Sequence, residues 1–305
     1  MARKKITKQL LAKFRGVMPA IVSPHDGKDR FDPETFARHA DFLYGKGVHG
    51  LYVCGATGEG YYMRLEERRR AVEVAVERSR GKGVVIAHVG SFSTRDAVEL
   101  AAHAGKCGAD AVASIPPLWK SQAELVRYYR EIARASRLPM FVYHVPVLTN
   151  RATTAEELVE LLSIEGAVGL KFTDWNLYLM RRVLHAKPEA IIFNGYDEFV
   201  YPGLLFGAQG CIGTWYNVFP HAFVNIFEAV ETGDHARAWK WQDRLHRLFT
   251  FGWKYGFGGT LEILLERIGI VKHAFRHPYQ PFDTKTARVV KSGLKPVLAE
   301  LEKND

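Results

Sequence analysis

The sequence predicts an α/β protein whose fold class is a (β/α)8 TIM barrel with a C-terminal helical extension. Eight short apolar runs alternate with amphipathic, helix-like segments at a steady spacing. The apolar runs are continuous rather than alternating, which is typical of parallel strands that are covered by helices on both faces. The chain has 305 residues, of which 47% are hydrophobic, and eight such strand–helix units close naturally into one barrel.

The predicted strands and helices alternate over the first two thirds of the chain. The strands are Val17–Val22, Gly50–Cys54, Val84–Val89, Ala111–Ile115, Met140–Val145, Val168–Phe172, Ile191–Asn194 and Cys211–Gly213. The helices between them are Pro33–Gly45, Leu65–Arg80, Thr94–Cys107, Gln122–Ser136, Thr154–Leu162, Leu177–His185 and Glu198–Phe206. A doubly wound open sheet is the alternative, but no Gly-x-Gly-x-x-Gly follows the first strand, which counts against a dinucleotide-binding fold.

After Asn217 the pattern changes to helices alone. The predicted helices are Ala222–Glu231, His235–Phe251, Thr260–Ala274 and Thr284–Leu301. We therefore expect three parts, which are a basic N-terminal tail (1–13), the barrel (14–220) and a helical extension (221–305).

The net charge of the chain is +9, and part of the excess lies at the N-terminus. Five basic residues fall within the first thirteen positions, which contain no acidic residue. A short basic terminus is typically solvated, and the rest of the sequence has no dense basic stripe with interleaved aromatic residues. We therefore predict no nucleic-acid partner.

Cysteine usage and hydropathy favour a cytoplasmic protein without a membrane span. Cys54, Cys107 and Cys211 are widely separated, so neither a disulfide framework nor a zinc site is predicted. The N-terminus lacks the apolar segment of a signal peptide. Residues 199–227 carry no formal charge and could span a bilayer by length, but their prolines and glycines indicate a buried segment of the barrel instead.

Lys171 is the strongest catalytic candidate. The two-residue period of a strand places Lys171 with Gly169 and Thr173 on the face opposite the apolar set Val168, Leu170 and Phe172. Because that apolar set is expected to pack on helices, Lys171 is expected to point into the barrel. Burial disfavours the ammonium form and frees the amine as a nucleophile that forms a Schiff base with a carbonyl. An ion-paired structural lysine is the alternative.

Other polar candidates lie where predicted strands end, which is where the active sites of such barrels gather. Tyr143 ends the fifth strand and could move a proton beside an imine, although an aromatic residue there could also belong to the core. Gly55-Ala-Thr-Gly-Glu59 follows the second strand and could present backbone amides and the Thr57 hydroxyl to an anion, or form an ordinary turn.

Two adjacent acids follow the seventh strand. Asp197 and Glu198 could accept hydrogen bonds from a polyol or could cap the next helix. No cluster of His, Asp or Glu has the spacing of metal ligands, so we predict no metal site and no metal-dependent aldolase.

These motifs, in their order and at their separations, resemble the pyruvate-dependent Schiff-base aldolases, the family that includes N-acetylneuraminate lyase and dihydrodipicolinate synthase. The motifs are the Gly55–Glu59 loop, Tyr143 and Lys171. The similarity runs from about Phe14 to the C-terminal helices. It implies a (β/α)8 barrel with a helical extension, a homotetramer, and a covalent imine on the lysine without any cofactor.

Within the family, the sequence is most similar to the N-acetylneuraminate lyase branch. Ala87-His-Val-Gly90, Tyr143-His-Val-Pro146 and Asn194-Gly-Tyr-Asp-Glu198 carry that similarity. Leu148 stands where the synthase branch places an arginine, and Pro116-Pro-Leu-Trp-Lys120 replaces its tyrosine relay. The resemblance therefore implies reversible cleavage of N-acetylneuraminate, or of a similar 2-keto-3-deoxy sugar acid, to pyruvate and N-acetylmannosamine.

The resemblance also implies a role for each matching position. Lys171 would form the imine, Tyr143 would relay the proton of the substrate C4 hydroxyl, and Thr57 would hold the pyruvate carboxylate beside Ala56. The sugar end would be lined by Thr173, Gly195, Asp197, Glu198 and Thr214.

Three positions depart from the pattern of the branch. Ala56 replaces a serine or threonine, so one hydroxyl contact to the carboxylate is missing. Thr214 replaces a serine and keeps the hydroxyl, whereas Trp215 is bulkier than the small residue expected there and could reshape the sugar pocket. The alternatives are a 2-keto-3-deoxy sugar-acid aldolase or dehydratase, 4-hydroxy-tetrahydrodipicolinate synthase, and a catalytically silent barrel that binds keto acids.

Overall fold

Eight parallel strands form the centre of the molecule, in a computed structural model that describes residues 7–303. The strands are β1 Gly16–Pro19, β2 Gly50–Val53, β3 Val84–His88, β4 Ala111–Ser114, β5 Met140–His144, β6 Ala167–Phe172, β7 Ile191–Asn194 and β8 Gly210–Gly213. From β2 to β8 each strand pairs with the next in the chain, and β8 pairs with β1. A parallel bridge between Ala20 and Tyr52 joins β1 to β2 and completes the (β/α)8 barrel.

Helices separate the strands and then continue alone. Those up to β8 are α1 Lys8–Leu11, α2 Pro33–Gly45, α3 Leu65–Ser79, α4 Thr94–Cys107, α5 Gln122–Ser136, α6 Pro146–Thr149, α7 Ala155–Leu162, α8 Leu177–Ala186 and α9 Val200–Leu205. Those after β8 are α10 Pro220–Glu231, α11 His235–Tyr255, α12 Phe257–Arg267 and α13 Thr284–Leu301. The (β/α)8 prediction and the helical extension are confirmed.

The core has two apolar layers. A larger layer lies between the strands and the surrounding helices and extends into the C-terminal helices. A smaller layer fills the interior of the barrel, and its members include Phe14, Met18, Tyr52, Phe141, Phe193 and Ile212. This filling makes the barrel a packed core rather than a pore, so a site can open only at one of its ends.

The N-terminal segment closes the amino end of the barrel. Residues 1–6 of the predicted basic tail lie outside the described residues. The Thr7 hydroxyl accepts a hydrogen bond from the Leu10 backbone N–H and caps α1. Leu10 and Phe14 are buried in the inner apolar layer, where the Phe14 ring meets the Phe141 ring edge-on at 5.3 Å.

The inward face of β6 differs from the prediction at one residue. The register of β5 on β6 shifts so that Met140 is opposite Ala167 and Phe141 is opposite Gly169. Val168 is the extra residue, and it packs against the inner apolar layer rather than on the outer face. The prediction for Val168 is therefore wrong, because a bulge breaks the two-residue alternation. Beyond the bulge the alternation resumes, and Lys171 pairs with Tyr143 as part of the inward face.

The C-terminal helices pack onto one side of the barrel. Helix α10 packs against β1 and α9, and α11 packs against α10, α12 and α13. The helix predicted over 260–274 instead begins at Phe257 and ends at Arg267. Gly269, with a φ of 76°, follows that end, and left-handed glycine at this position is a common helix stop. The boundary between barrel and extension at residue 220 stays a prediction.

Candidate active site

A cavity of about 200 Å³ lies at the carboxyl end of the barrel, opposite the end closed by α1. Loops and strand ends from β2, β5, β6, β7 and β8 contribute to it, together with the beginning of α12 and the end of α11. Its lining includes every residue that the sequence predicted for the site, namely Ala56, Thr57, Tyr143, Lys171, Thr173, Gly195, Asp197, Glu198 and Thr214. The structure thus brings the predicted residues together, while their individual roles stay predictions.

Lys171 is held inside the barrel with little access to water. It lies near the end of β6 between Tyr143 of β5 and Phe193 of β7, and only 4% of its surface is exposed. Burial lowers the pKa of the ammonium from 10.5 to about 7, and the nearby Asp197 carboxylate opposes this shift. No carboxylate among residues 7–303 forms an ion pair with Lys171. This environment favours a neutral, nucleophilic amine.

Two tyrosine rings face the Lys171 nitrogen. Its Nζ atom lies 4.3 Å from the centre of the Tyr143 ring and 4.5 Å from the centre of the Tyr52 ring. Burial raises the pKa of Tyr143 to about 12, and the neighbouring Thr173 hydroxyl opposes the shift. Tyr143 therefore enters a reaction at neutral pH as a protonated phenol.

The loop after β2 lies beside the β8 loop. The Thr57 and Thr214 hydroxyl oxygens are 2.6 Å apart, so one hydroxyl donates to the other. Ala56 lines the same part of the cavity without a polar side chain. Glu59 turns away from the cavity, where its Oε2 accepts a hydrogen bond of 2.6 Å from the Arg276 backbone N–H. This contact ties the loop to the segment between α12 and α13.

Asp197 holds the β8 loop in place. Its Oδ2 accepts hydrogen bonds from the backbone N–H groups of Thr214 (3.0 Å) and Trp215 (2.7 Å). Burial raises the pKa of Asp197 to about 7, Glu198 adds to the rise, and the two backbone donors oppose it. Asp197 therefore positions the loop that carries Thr214 as well as lining the cavity.

The loops after β5, β6 and β7 are fitted closely to one another. A Cβ atom at Gly195 would lie 1.9 Å from the Thr173 hydroxyl oxygen, so only glycine fits at that position. Next to them, His144 Nε2 and Asp174 Oδ2 form a hydrogen bond of 2.8 Å between the end of β5 and the loop after β6. These contacts fix Tyr143 and Thr173, which are the neighbours of His144 and Asp174 in the chain.

Most of the chain is similar to known proteins. Residues 13–296 match the model of the dihydrodipicolinate synthetase family. The chain belongs to this family. It is 36% identical to an N-acetylneuraminate lyase from Citrobacter koseri over 276 residues, which are 89% of this chain and 93% of that protein. An N-acetylneuraminate lyase from Rhizobium meliloti is 34% identical over 289 residues, which are 94% of this chain and 96% of that protein.

A solved structure of this family gives the same result for the fold. The wild-type sialic acid aldolase from Ruminococcus gnavus superposes with a TM-score of 0.88 at 28% sequence identity, and the match covers 94% of this chain and 98% of that chain. The family resemblance predicted from the sequence, including the lyase branch, is confirmed by these relatives.

Three aromatic residues that line the cavity were not predicted from the sequence. Tyr196 lines the cavity, and its ring stacks on Trp175 at 4.1 Å. Trp253 and Phe257 also line it, and Trp253 Nε1 donates a hydrogen bond of 3.3 Å to Glu198 Oε1. Tyr196 lies within a motif that the sequence analysis had singled out. The two residues of the C-terminal helices carry no local signal, because only the packing of the extension brings them to the barrel.

Trp215 also has a position that the sequence could not indicate. It lines the cavity, but its ring is buried between the end of the barrel and the C-terminal helices, 5.1 Å from the Phe257 ring and 5.9 Å from the Phe249 ring. The large Trp215 ring therefore packs the β8 loop against α11 and α12.

Two structural findings concern metal ions and membranes. Across residues 7–303, no three His, Cys, Asp or Glu side chains are grouped in a way that could hold a metal ion. No helix in the same range is both long enough and apolar enough to cross a membrane.

Proposed function

We propose that this protein is a carbon–carbon lyase that reversibly cleaves N-acetylneuraminate, or a similar 2-keto-3-deoxy sugar acid, into pyruvate and N-acetylmannosamine or a related sugar. The observation that carries the proposal is the Lys171 amine, buried in the cavity with a pKa of about 7 and facing the Tyr143 ring. The names of the relatives supply the substrate class.

Lys171 is the nucleophile in this proposal. The neutral amine attacks the ketone carbon of the substrate, and uptake of one proton from solvent with loss of one water gives a cationic iminium. The iminium is a better electron sink than the ketone, so the electron pair of the C3–C4 bond can move into it as the C4 hydroxyl loses its proton. This cleavage releases the aldehyde and leaves an enamine. Protonation of the enamine at C3 and hydrolysis by water then release pyruvate and regenerate the amine.

Tyr143 relays the proton of the C4 hydroxyl. Its phenol is protonated in the free enzyme because burial raises the pKa to about 12. The positive charge of the adjacent iminium favours the phenolate, so the phenol can pass its own proton to solvent and then accept the proton of the C4 hydroxyl. In the direction of synthesis, the same phenol donates that proton to the forming alkoxide.

The two ends of the substrate have separate contacts in this proposal. The hydroxyl of Thr57 and the nearby backbone amides of the loop hold the pyruvate carboxylate, with Ala56 beside them and no second side-chain hydroxyl. Thr173, Gly195, Asp197, Glu198 and Thr214 line the sugar end. Fixing both ends places the reacting carbon next to Lys171, which lowers the entropic barrier of the reaction.

We propose a cytoplasmic enzyme. It needs no cofactor or metal ion, because the imine itself supplies the electron sink. Its partner is the small-molecule keto acid or sugar, and we propose no nucleic-acid or membrane partner. We propose a division into an N-terminal segment (1–13), whose helix α1 packs against the amino end of the barrel, the barrel (14–220) and the extension (221–305). A homotetramer would cover exposed apolar side chains near the carboxyl ends of the strands, which include Tyr62, Phe92, Trp119, Val147 and Tyr178.

Borohydride trapping tests the chemistry. The protein is incubated with pyruvate and reduced, and the modified peptide is identified by mass spectrometry. We expect a stable adduct on the peptide that contains Lys171 and none in the Lys171→Arg variant. A folded wild-type protein without an adduct would favour a barrel that only binds keto acids.

A substrate panel then separates the members of the family. N-acetylneuraminate, 2-keto-3-deoxy sugar acids, and pyruvate with aspartate semialdehyde are compared under the same conditions. Release of N-acetylmannosamine supports the proposal. Loss of water without C–C cleavage would indicate a dehydratase, and condensation with the semialdehyde would indicate the synthase.

A further inference from the structure

The ring of Tyr52 faces the Lys171 nitrogen, although Tyr52 is not among the residues predicted for the site. It lies on β2, is fully buried in the inner apolar layer, and is not part of the lining of the cavity. Its ring centre is 4.5 Å from Lys171 Nζ, and its ring meets the Tyr143 ring edge-on at 6.2 Å. The Tyr52 ring also packs under the loop after β2, where a Cβ atom at Gly55 would lie 2.5 Å from Tyr52 Cε1.

Few groups near the Lys171 nitrogen can stabilise a positive charge, apart from the aromatic rings. The carboxylate of Asp197 opposes the loss of charge on Lys171, but its Oδ2 already accepts hydrogen bonds from two backbone N–H groups. Two aromatic ring faces, those of Tyr52 and Tyr143, lie within 4.5 Å of the nitrogen. The face of an aromatic ring attracts a cation, and this attraction is strongest where the cation is desolvated.

The hydroxyl group of Tyr52 does not explain why a tyrosine occupies this position. Its oxygen is buried and has no hydrogen-bond partner within the described residues. A buried hydroxyl without a partner is unfavourable, so the contribution of Tyr52 must come from the ring or from a group that binds later. The ring is the part that already faces the nitrogen.

We propose that Tyr52 is a positioning residue for the imine, whose ring supports the cationic nitrogen of the iminium and holds Lys171 over the loop that binds the carboxylate. This inference rests on the imine chemistry proposed above. The Tyr143 ring faces the nitrogen from one side, and the Tyr52 ring provides a second aromatic face for the positive charge.

Borohydride trapping as a function of pyruvate concentration and pH tests this role. In Tyr52→Leu, we expect the pyruvate concentration for half-maximal trapping to rise about tenfold, since a desolvated cation loses one ring face. Adduct formation declines at acidic pH, where Lys171 becomes protonated, and we call this decline the acidic limb of trapping. In Tyr52→Leu we expect the acidic limb to move to lower pH, because the ammonium form of Lys171 is less stable without the ring. Tyr52→Phe keeps the ring, so its half-maximal concentration should stay within about twofold of wild type.

Phe141→Leu is the matched control, because it removes another ring from the same inner layer. The described ring contacts of Phe141 are with Phe14 and Phe193, and none is with the Lys171 nitrogen. We expect this variant to lower the unfolding temperature without changing the half-maximal concentration or the acidic limb. A change of trapping in Phe141→Leu equal to that in Tyr52→Leu would overturn the proposal, because it would assign the effect to packing alone.

Fluorinated phenylalanines at position 52 keep the proposal testable if Tyr52→Leu does not fold. Each added fluorine weakens the negative ring face with little change of shape, so trapping should weaken step by step. A flat response across the series, or an equal loss in Tyr52→Phe and Tyr52→Leu, would refute the role of the ring. If wild-type protein itself gives no adduct, the proposed function fails; if wild type and Tyr52→Leu trap equally, only this inference fails.

Discussion

At the scale of single residues, burial sets the chemistry of the site. Lys171 and Asp197 are both buried, and burial moves the pKa of each group to about 7 from opposite sides. Lys171 becomes available as a neutral nucleophile. The Asp197 carboxyl group is instead held in position, because it accepts hydrogen bonds from two backbone N–H groups. Tyr143 stays protonated for the same physical reason. A site that needs a neutral amine and a phenol at neutral pH obtains both from a low-dielectric interior.

Lys171→Met should abolish trapping and make the fold more stable at neutral pH. Because burial lowers the folded-state pKa of Lys171 from 10.5 to about 7, the unfolded chain binds more protons than the folded chain between these values. The free energy of unfolding of the wild type therefore rises with pH in this window. We expect Lys171→Met to gain about 1–3 kcal/mol at pH 7, with the gain shrinking towards pH 10.

Chemical denaturation at several pH values measures this effect. Lys106→Met, which replaces an exposed lysine on α4, is the control and should leave the pH dependence unchanged. A stability gain for Lys171→Met that stays constant from pH 7 to pH 10 would argue against a buried lysine with a lowered pKa.

Tyr143→Phe should separate imine formation from bond cleavage. The ring that faces Lys171 remains, so pyruvate trapping should persist, whereas kcat for cleavage should fall by about 10²–10⁴-fold because the relay is lost. Trapping and steady-state cleavage are measured on the same preparation. Tyr129→Phe, which removes a buried hydroxyl that donates to the Ser114 carbonyl, serves as the control. Unchanged cleavage in Tyr143→Phe would remove this residue from the mechanism.

At the scale of elements, the loops at the strand ends hold one another in position. The β7 loop reaches the β8 loop through Asp197, and it reaches the β6 loop where Gly195 approaches Thr173. The loop after β2 is held from outside the barrel, by the bond between Glu59 and the Arg276 backbone. Alternation within one strand could predict Lys171 and Tyr143, but it could not predict Val168, because a register shift arises between two strands.

Gly195→Ala should disrupt the site through its contact with Thr173. The added Cβ would lie 1.9 Å from the Thr173 hydroxyl oxygen, so the loop or the threonine must move. We expect kcat/KM to fall about 100-fold, since small displacements of positioning groups reduce rates by this order. Thr173→Ala in the same chain removes the clashing oxygen. The double variant should recover part of the unfolding temperature lost by Gly195→Ala, because the Thr173 Cβ (2.9 Å) and the Phe172 carbonyl oxygen (3.1 Å) remain close to the added Cβ. No recovery would mean that the hydroxyl oxygen is not the main clash.

At the scale of the whole molecule, one end of the barrel contributes to stability and the other contains the candidate site. The amino end is closed by Leu10 and Phe14 and carries stability, whereas the carboxyl end carries the cavity. The C-terminal helices contribute to function as well as to packing, because Trp253 and Phe257 line the cavity and Trp253 holds Glu198. The site is therefore complete only when the extension is packed on the barrel.

Phe14→Ala should reduce stability without changing the chemistry. The Phe14 ring is buried and packs edge-on against Phe141 at the amino end, so its loss leaves a cavity that costs about 3–5 kcal/mol. Thermal unfolding should show the loss, whereas the pyruvate concentration for half-maximal trapping should equal that of wild type. A changed half-maximal concentration would show that the inner layer transmits strain to the carboxyl end.

Features that depend on neighbours in the chain could be predicted from the residues alone. Strand and helix periodicity gave the eight alternating units, and the same periodicity placed Lys171 inside the barrel and Tyr143 at the end of a strand. The motif after β2 predicted the loop that carries Thr57. These features were accessible because a strand or helix pattern is local, and because burying an ammonium group in a strand is costly enough to be informative.

Contacts between residues that are distant in the chain could not be predicted, because they depend on the packing of whole elements. The tertiary structure placed the Tyr52 ring on the Lys171 nitrogen, brought Trp253 and Phe257 to the cavity from the extension, and turned Val168 inward. The Trp253–Glu198 bond joins positions that are 55 residues apart, and the Glu59–Arg276 bond joins positions that are 217 apart. Such contacts depend on how whole elements pack and on small shifts of register, which no local pattern of residues encodes.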